Sequence, residues 1–440
     1  MEKGTEPIYW EKEVETLPRK DLEALQLKRL RDTFSRTRQV PYYKEKCASL
    51  SINPDDIRSL EDIRKLPFTI KDDLRAQYPY GALAVPLTDC VRFHSSSGTT
   101  GSAVAVLCTK KDIETWADMM ARSLFSVGAR ESDIFQNMAG YGLFSGGLGF
   151  HYGAERMGLL TIPVGTGNSK RQVELMTKLG TTVVHFMPSY GIYLMNVFME
   201  MGVDPKKDAC LKFIIIGAEN SSEETRQRLE GFYGVDTFDS YGLSEVAGPG
   251  VSFQCHMKDG LHVWEDHYIL EILEPGGDNP VPDGEVGEVV FTTLMREAMP
   301  LIRYRTRDLA SIIPEPCKCG RTHRRISRIK GRIDDMIIYK GVNIYPVQIE
   351  KAIMAFPEVG ETYLIILETR DNKAWMTIQV EVSEDLINGD SVKLEDLRKR
   401  IGDSLQSELL VSPGVKLVPR GTIEVSEAGK AKRVIDKRTL

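Results

Sequence analysis

Apolar and polar positions change their rhythm along the chain. Over the first hundred residues apolar positions recur at helical spacing among many charges, as across 22–37, and Pro67 and Pro79 punctuate the later part of this region. From about Val91, short apolar runs at 104–108, 134–141, 182–187 and 213–216 predict strands. Amphipathic stretches at 112–127, 172–179 and 223–232 predict helices between them. That alternation predicts a mixed α/β sheet. From Tyr268, strand-like runs at 268–273, 288–294 and 309–313 are separated by turns such as Pro275-Gly276-Gly277-Asp278. They predict a β-rich subdomain over about 250–330. The last hundred residues predict helices at 347–356 and 394–410 and strands at 362–367, 375–382 and 415–418. The predicted fold class is α/β: a large N-terminal domain over 1–333, with mixed sheets, helices and the β-rich subdomain, then a small α+β domain over 334–440.

Composition narrows the classes. Of 440 residues, 42% are hydrophobic and 27% charged, a globular balance. The net charge of −6 gives no reason to expect nucleic acid or an anionic membrane as a partner. No apolar run reaches the roughly 20 residues of a membrane span, and the charged N-terminus does not read as a secretory signal. The expected location is cytoplasmic. Oligomeric state is left open, a homodimer included.

The chemistry begins at His94-Ser95-Ser96-Ser97-Gly98-Thr99-Thr100-Gly101-Ser102, where glycines and hydroxyls lie between two apolar runs. Glycines let backbone N–H groups turn toward an anion, and Ser/Thr hydroxyls add donors. No Gly-Lys-Ser/Thr comes after them, so this is not a Walker A loop. Further along come Ile216-Gly217-Ala218-Glu219, Asp239-Ser240-Tyr241-Gly242-Leu243-Ser244-Glu245, Arg305-Thr306-Arg307-Asp308, Gly331-Arg332-Ile333-Asp334-Asp335 and Ala428-Gly429-Lys430. In that order they resemble the signatures of the adenylate-forming superfamily of acyl-CoA synthetases, luciferases and adenylation domains. One departure is that Ser102 and Ala103 stand where many members carry a lysine.

The resemblance implies ATP, Mg²⁺ and coenzyme A as cofactors and co-substrates. It implies that Ser96, Ser97, Gly98, Thr99, Thr100 and Gly101 hold the phosphates. Gly217, Ala218 and Glu219, with Asp239, Ser240, Tyr241, Gly242, Leu243 and Ser244, would bind the adenine side. Tyr241 offers a flat face for the base. Asp308 can accept bonds from both ribose hydroxyls, Arg332 can steady a phosphate, and Glu245 is a hard oxygen ligand suited to Mg²⁺. Lys430 would be the catalytic lysine, with Lys432 its rival. The C-terminal domain would be mobile and swing about a hinge at Asp334.

Within the superfamily, three stretches resemble the phenylacetate–CoA ligases: 241–249, 141–155 and 339–350. That resemblance implies an aryl pocket around Tyr141, Phe144, Gly217, Ala218 and Pro249. A flat slot of that kind favours a ring over an alkyl chain. The implied activity is an AMP-forming arylacetate–CoA ligase. Indole-3-acetate, 4-hydroxyphenylacetate or a benzoate as the acid, or a free-standing adenylation enzyme that loads a carrier protein, are alternatives.

Seven cysteines scattered over the chain do not suggest a disulfide framework. Cys47, Cys90, Cys108 and Cys210 read as isolated buried residues. Cys255, His262, Cys317 and Cys319 form two pairs flanking the β-rich subdomain and predict a closed structural Zn²⁺ site, with His256 and His323 as alternative ligands.

Overall fold

The computed structural model describes residues 9–48, 50, 52–95, 103–370, 373–389, 391–423 and 433–438. Its largest element is a nine-stranded sheet. Five strands run parallel, in the order Asp236–Leu243, Phe213–Gly217, Val183–Phe186, Ile134–Asn137 and Leu160–Ile162. Gly248–Gln254, Leu261–Val263, Arg325–Ile326 and Ile312–Ile313 extend it antiparallel.

The parallel strands read as continuous apolar runs because both faces are covered. Alternation sorts their side chains. Val183, Phe213 and Ile215 join the core formed with Lys110–Ser126 and Ser145–Arg156, whereas Val184, Phe186, Ile214 and Ile216 join that of Ser169–Lys178, Pro188–Glu200 and Glu223–Tyr233. Thr109 starts the first of these helices, accepting the Asp112 N–H while Asp112 accepts the Thr109 N–H.

A second sheet, antiparallel, orders Tyr268–Leu273, Gly287–Thr293, Tyr304–Ala310 and Gly331–Arg332. Beyond the short turn Ile333–Asp335, a third apolar cluster forms on its own from Ile337 onward. There Val359–Arg370 and Lys373–Val382 pair antiparallel, Gly414–Pro419 and Val434–Asp436 flank them in parallel, and helices Pro346–Met354 and Ser391–Leu409 pack on them. No described helix is long and apolar enough to cross a membrane.

Two expectations change. The strand expected over 134–141 ends at Asn137. Of the isolated cysteines only Cys47 and Cys108 are buried; Cys90 is half-buried and Cys210 exposed. Two helices carry no clear signal of their own. Ser145–Arg156 contains four glycines and Pro188–Glu200 is apolar nearly all round. The glycines serve packing: a Cβ at Gly149 would lie 2.3 Å from the Trp116 ring, and one at Gly153 would lie 2.5 Å from Met120.

Candidate active site and candidate metal centre

Ser96, Ser97, Gly98, Thr99, Thr100 and Gly101, and both Lys430 and Lys432, lie outside the described residues. The strands flanking the serine/glycine stretch are described. Cys90–Ser95 pairs with Ala105–Thr109, bringing Ser95 opposite Ala105. The Ser95 N–H donates to the Leu143 carbonyl at 3.0 Å, tying this hairpin to residues 141–145.

Four expected residues meet in one network. Strand Tyr304–Ala310 pairs with Gly331–Arg332 so that Asp308 lies opposite Arg332. Arg332 Nη1 donates to Asp308 Oδ1 at 2.8 Å, and the Tyr241 hydroxyl donates to Asp308 Oδ2 at 2.7 Å. Arg332 Nε also donates to Asp334 Oδ1 at 3.0 Å. Burial pushes the Asp308 carboxyl up to about 6, against the pull of Arg332 and the Tyr241 bond. A buried carboxylate with both oxygens engaged by long, reorientable donors can exchange them for vicinal hydroxyls.

Nearby backbone is shaped by close approach. Gly217 ends its strand, and a Cβ there would lie 2.8 Å from the Ser240 carbonyl oxygen. Ala218 comes next, exposed, at φ +68°. At Gly242 a Cβ would lie 2.0 Å from the Gly248 carbonyl oxygen. Asp239 is held by Arg328, whose Nε is 2.9 Å from Oδ2; burial raises its carboxyl and Arg328 opposes the shift. Glu219 accepts the Ser189 N–H at 3.2 Å and lines a small cavity with Glu350 and Arg433 of the C-terminal unit. Burial raises its carboxyl.

Glu245 is buried, and Lys71 Nζ lies 3.0 Å from its Oε1. The angle is poor enough to leave that oxygen without a hydrogen bond. Sequence reading missed Lys71, because nothing in its local spacing announces a contact with a motif so distant in the chain. It also missed Ser145, whose Oγ is 2.8 Å from Ser244 Oγ, and Trp116, whose Nε1 donates to the Pro249 carbonyl at 3.1 Å.

Three of the expected aryl-pocket residues, Tyr141, Phe144 and Pro249, lie beside helix Ser145–Arg156. Tyr141 receives a hydrogen bond from Asn137 Nδ2 at 2.9 Å, and burial pushes its hydroxyl up to about 12. Phe144 precedes the helix and is 42% exposed, beside exposed Leu143. Pro249 packs against Gly149 of the same helix, and a Cβ on that glycine would lie 2.7 Å from its ring.

The cysteine–histidine cluster forms as expected from the sequence. Ligand atoms of Cys255, His262, Cys317 and Cys319 lie within 4.8 Å of one another, and all four residues are buried. Cys255 Sγ is 3.7 Å from Cys317 Sγ, and Cys319 Sγ is 3.4 Å from His262 Nε2. A disulfide needs about 2.0 Å. A zinc tetrahedron, with Zn–S about 2.3 Å and Zn–N about 2.0 Å, has S–S edges of about 3.8 Å and S–N edges of about 3.5 Å. These two edges fit the metal. His262 Nδ1 donates to the His323 carbonyl at 3.1 Å, which leaves Nε2 as the lone-pair face toward the thiols. The alternatives fall away. His323 accepts the Glu265 N–H at Nδ1 and donates to the Val14 carbonyl through Nε2, and His256 is exposed.

Comparison with known proteins identifies the family. The family model for AMP-binding enzyme matches residues 46–294, and that for the AMP-binding enzyme C-terminal domain matches 341–438. A phenylacetate-coenzyme A ligase of Thermus thermophilus is 41% identical over 98% of this chain and 100% of its own length. One from Escherichia coli is 39% identical over 97% of each. A crystal structure of 2-hydroxyisobutyryl-CoA ligase in the postadenylation state, in complex with 2-HIB-AMP, superposes with a TM-score of 0.92 at 28% identity, covering 98% of this chain and 93% of that one. The same ligase with 2-HIB-AMP and CoA in the thioesterification state gives 0.73 over the same shares. The chain belongs to the AMP-binding enzymes, as a member of the family of AMP-forming phenylacetate–CoA ligases.

Proposed function

We propose that the acid is phenylacetate, which the chain joins to CoA with cleavage of ATP to AMP and diphosphate. The observation that carries the chemistry is the Tyr241–Asp308–Arg332 network at the carboxyl end of the parallel strand Asp236–Leu243. Ligands of open α/β sheets bind at that end. An acid carboxylate oxygen attacks the α-phosphorus of ATP and the bond to diphosphate breaks, giving an acyl-adenylate. The CoA thiol then attacks the acyl carbon and AMP leaves.

Asp308 holds the ribose hydroxyls and Tyr241 lies against the adenine, with Gly217, Ala218, Glu219, Asp239, Ser240, Gly242, Leu243 and Ser244 as the surrounding wall. Arg332 turns from Asp308 to a phosphate. Residues 96–101 hold the leaving diphosphate, and Lys430 stabilises charge where carboxylate meets phosphorus. Mg²⁺ at Glu245 would neutralise triphosphate charge, and Lys71 takes over some of that task for a loop without its usual lysine. Tyr141, Phe144, Gly217, Ala218 and Pro249 bound the slot for the ring. Asp334 is the hinge, and the better superposition on the postadenylation form supports that pose here. Cys255, His262, Cys317 and Cys319 would hold a Zn²⁺ with all four ligands supplied by the protein, a structural rather than a catalytic role.

The test is CoA-dependent AMP and diphosphate release over an acid panel of phenylacetate, 4-hydroxyphenylacetate, indole-3-acetate, benzoate and 2-hydroxyisobutyrate. Phenylacetate is expected to lead in kcat/KM by tenfold or more. A lead for 2-hydroxyisobutyrate would overturn the arylacetate reading.

A further inference from the structure

The loop that supplies two of the four candidate zinc ligands is also the docking surface for the N-terminal arm, residues 9–17. The Cys319 carbonyl accepts the Tyr9 hydroxyl at 2.7 Å. Gly320, at φ +83°, has room for this only because it lacks a side chain: a Cβ would lie 2.5 Å from the Tyr9 oxygen. The Thr322 N–H donates to the Glu15 carbonyl at 3.1 Å, and its hydroxyl donates to that of Leu17 at 2.7 Å. His323 Nε2 donates to the Val14 carbonyl at 3.0 Å.

At the centre is a fully buried ion pair. Arg321 Nε lies 2.6 Å from Glu15 Oε2, with both side chains at 0% exposure. Glu15 Oε1 accepts the N–H groups of Trp10 and Glu11, both at 2.7 Å. Arg321 is two residues from Cys319, and its guanidinium feels the negative charge of Cys319 as well as that of Glu15. Three thiolates and a neutral imidazole around Zn²⁺ carry a net charge of −1. Arg321 therefore sits between a negative metal centre and a negative side chain of the arm, a placement that suits one buried cation.

We infer that Zn²⁺ at Cys255, His262, Cys317 and Cys319 acts as a staple whose loop, through Arg321, Thr322 and His323, holds the N-terminal arm against the β-rich subdomain. This rests on the zinc assignment and is independent of the acid. Between Cys317 and His323 the chain forms no helix or strand, so two sulfur–metal bonds would set the loop's shape. The arm passes that order on: Glu11 pairs with Arg122, and Trp10 packs on Phe125 with ring centroids 5.7 Å apart. Both partners belong to helix Lys110–Ser126, which comes directly after the strand Ala105–Thr109.

The experiment combines metal analysis with backbone hydrogen exchange on the full-length protein. As purified with adequate zinc, one Zn²⁺ per chain and slow exchange over 9–17 are expected. Stripping the metal with a thiol-directed mercurial and chelator, then reversing the mercurial with reductant, should speed arm exchange at least tenfold. Adding Zn²⁺ alone should restore protection. Glu15→Gln should keep one Zn²⁺ per chain and still loosen the arm. Zinc well below one per chain would overturn both the metal and the staple. Zinc at one per chain with arm exchange unchanged on its removal would overturn the staple alone.

Discussion

The cysteine–histidine cluster and the Asp308 network are both assembled from residues far apart in the chain, yet they are built for opposite purposes. In the first, four ligand atoms converge on one point, every residue is buried, and the histidine's second nitrogen is already committed. Such a site has nowhere to put a substrate and nothing to exchange. In the second, a buried carboxylate is held by a tyrosine hydroxyl and an arginine that also reaches across to Asp334, past the end of the large unit's last strand. Its bonds can be traded for those of a ligand, and one of its members lies where the two units join. A closed set of bonds favours stability; a reassignable set favours turnover. Damage to the first should appear in melting and exchange, and damage to the second in rates with the fold intact.

The sharpest break would come from Lys430→Ala. Adenylation should fall about 10²–10³-fold, the size of a lost transition-state charge contact, while thiolysis of supplied acyl-adenylate is largely spared. Measuring the two half-reactions separately decides it, and equal losses would remove the domain swing.

Next is Asp308→Ala, which should raise the KM for ATP about 10–100-fold, since hydrogen bonds to a charged group contribute about 1.5–3 kcal/mol each. The pH dependence gives the same group a second signature. Because burial raises its carboxyl to about 6, the protonated form, a poorer acceptor, gains population as pH falls through that value. The kcat/KM for ATP should drop across that window, and Asp308→Asn should flatten the profile.

The smallest effect concerns the joint. Glu350, on helix Pro346–Met354, accepts the Ser222 N–H at 3.1 Å and the Thr225 hydroxyl at 2.7 Å, at the start of helix Glu223–Tyr233. A carboxylate there complements the helix N-terminus by about 0.3–1 kcal/mol. Glu350→Ala should slow adenylation severalfold and leave thiolysis unchanged. An equal slowing of both would mean that the contact belongs to both poses.

Most of the parallel sheet was legible because strands such as Phe213–Gly217 are short apolar runs closed by turn residues. The glycine-rich helix Ser145–Arg156 was not, because glycine disfavours helices. Its reason for being there, contact with Trp116 and Met120, is tertiary. At the site, motifs with fixed local spacing named Tyr241, Asp308, Arg332 and the four candidate zinc ligands. Lys71, Glu350 and the arm residue Glu15 carry no such spacing; each acquires its meaning from a partner distant in the chain. The departure at Ser102 pointed to a missing cation without indicating where another would come from.

The tight wall at Gly217 has a consequence for redesign. With the Ser240 carbonyl oxygen 2.8 Å from where a Cβ would sit, that side of the proposed slot could not be reshaped by adding atoms. If the proposed slot is right, room for altering the accepted acid would lie instead at the exposed Leu143 and Phe144. Even there Gly146 sets a condition, since a Cβ on it would come within 2.3 Å of the Phe144 ring. A library that varies 143 and 144 while leaving 146 and 217 as glycine would explore new substrates without disturbing the scaffold beneath them.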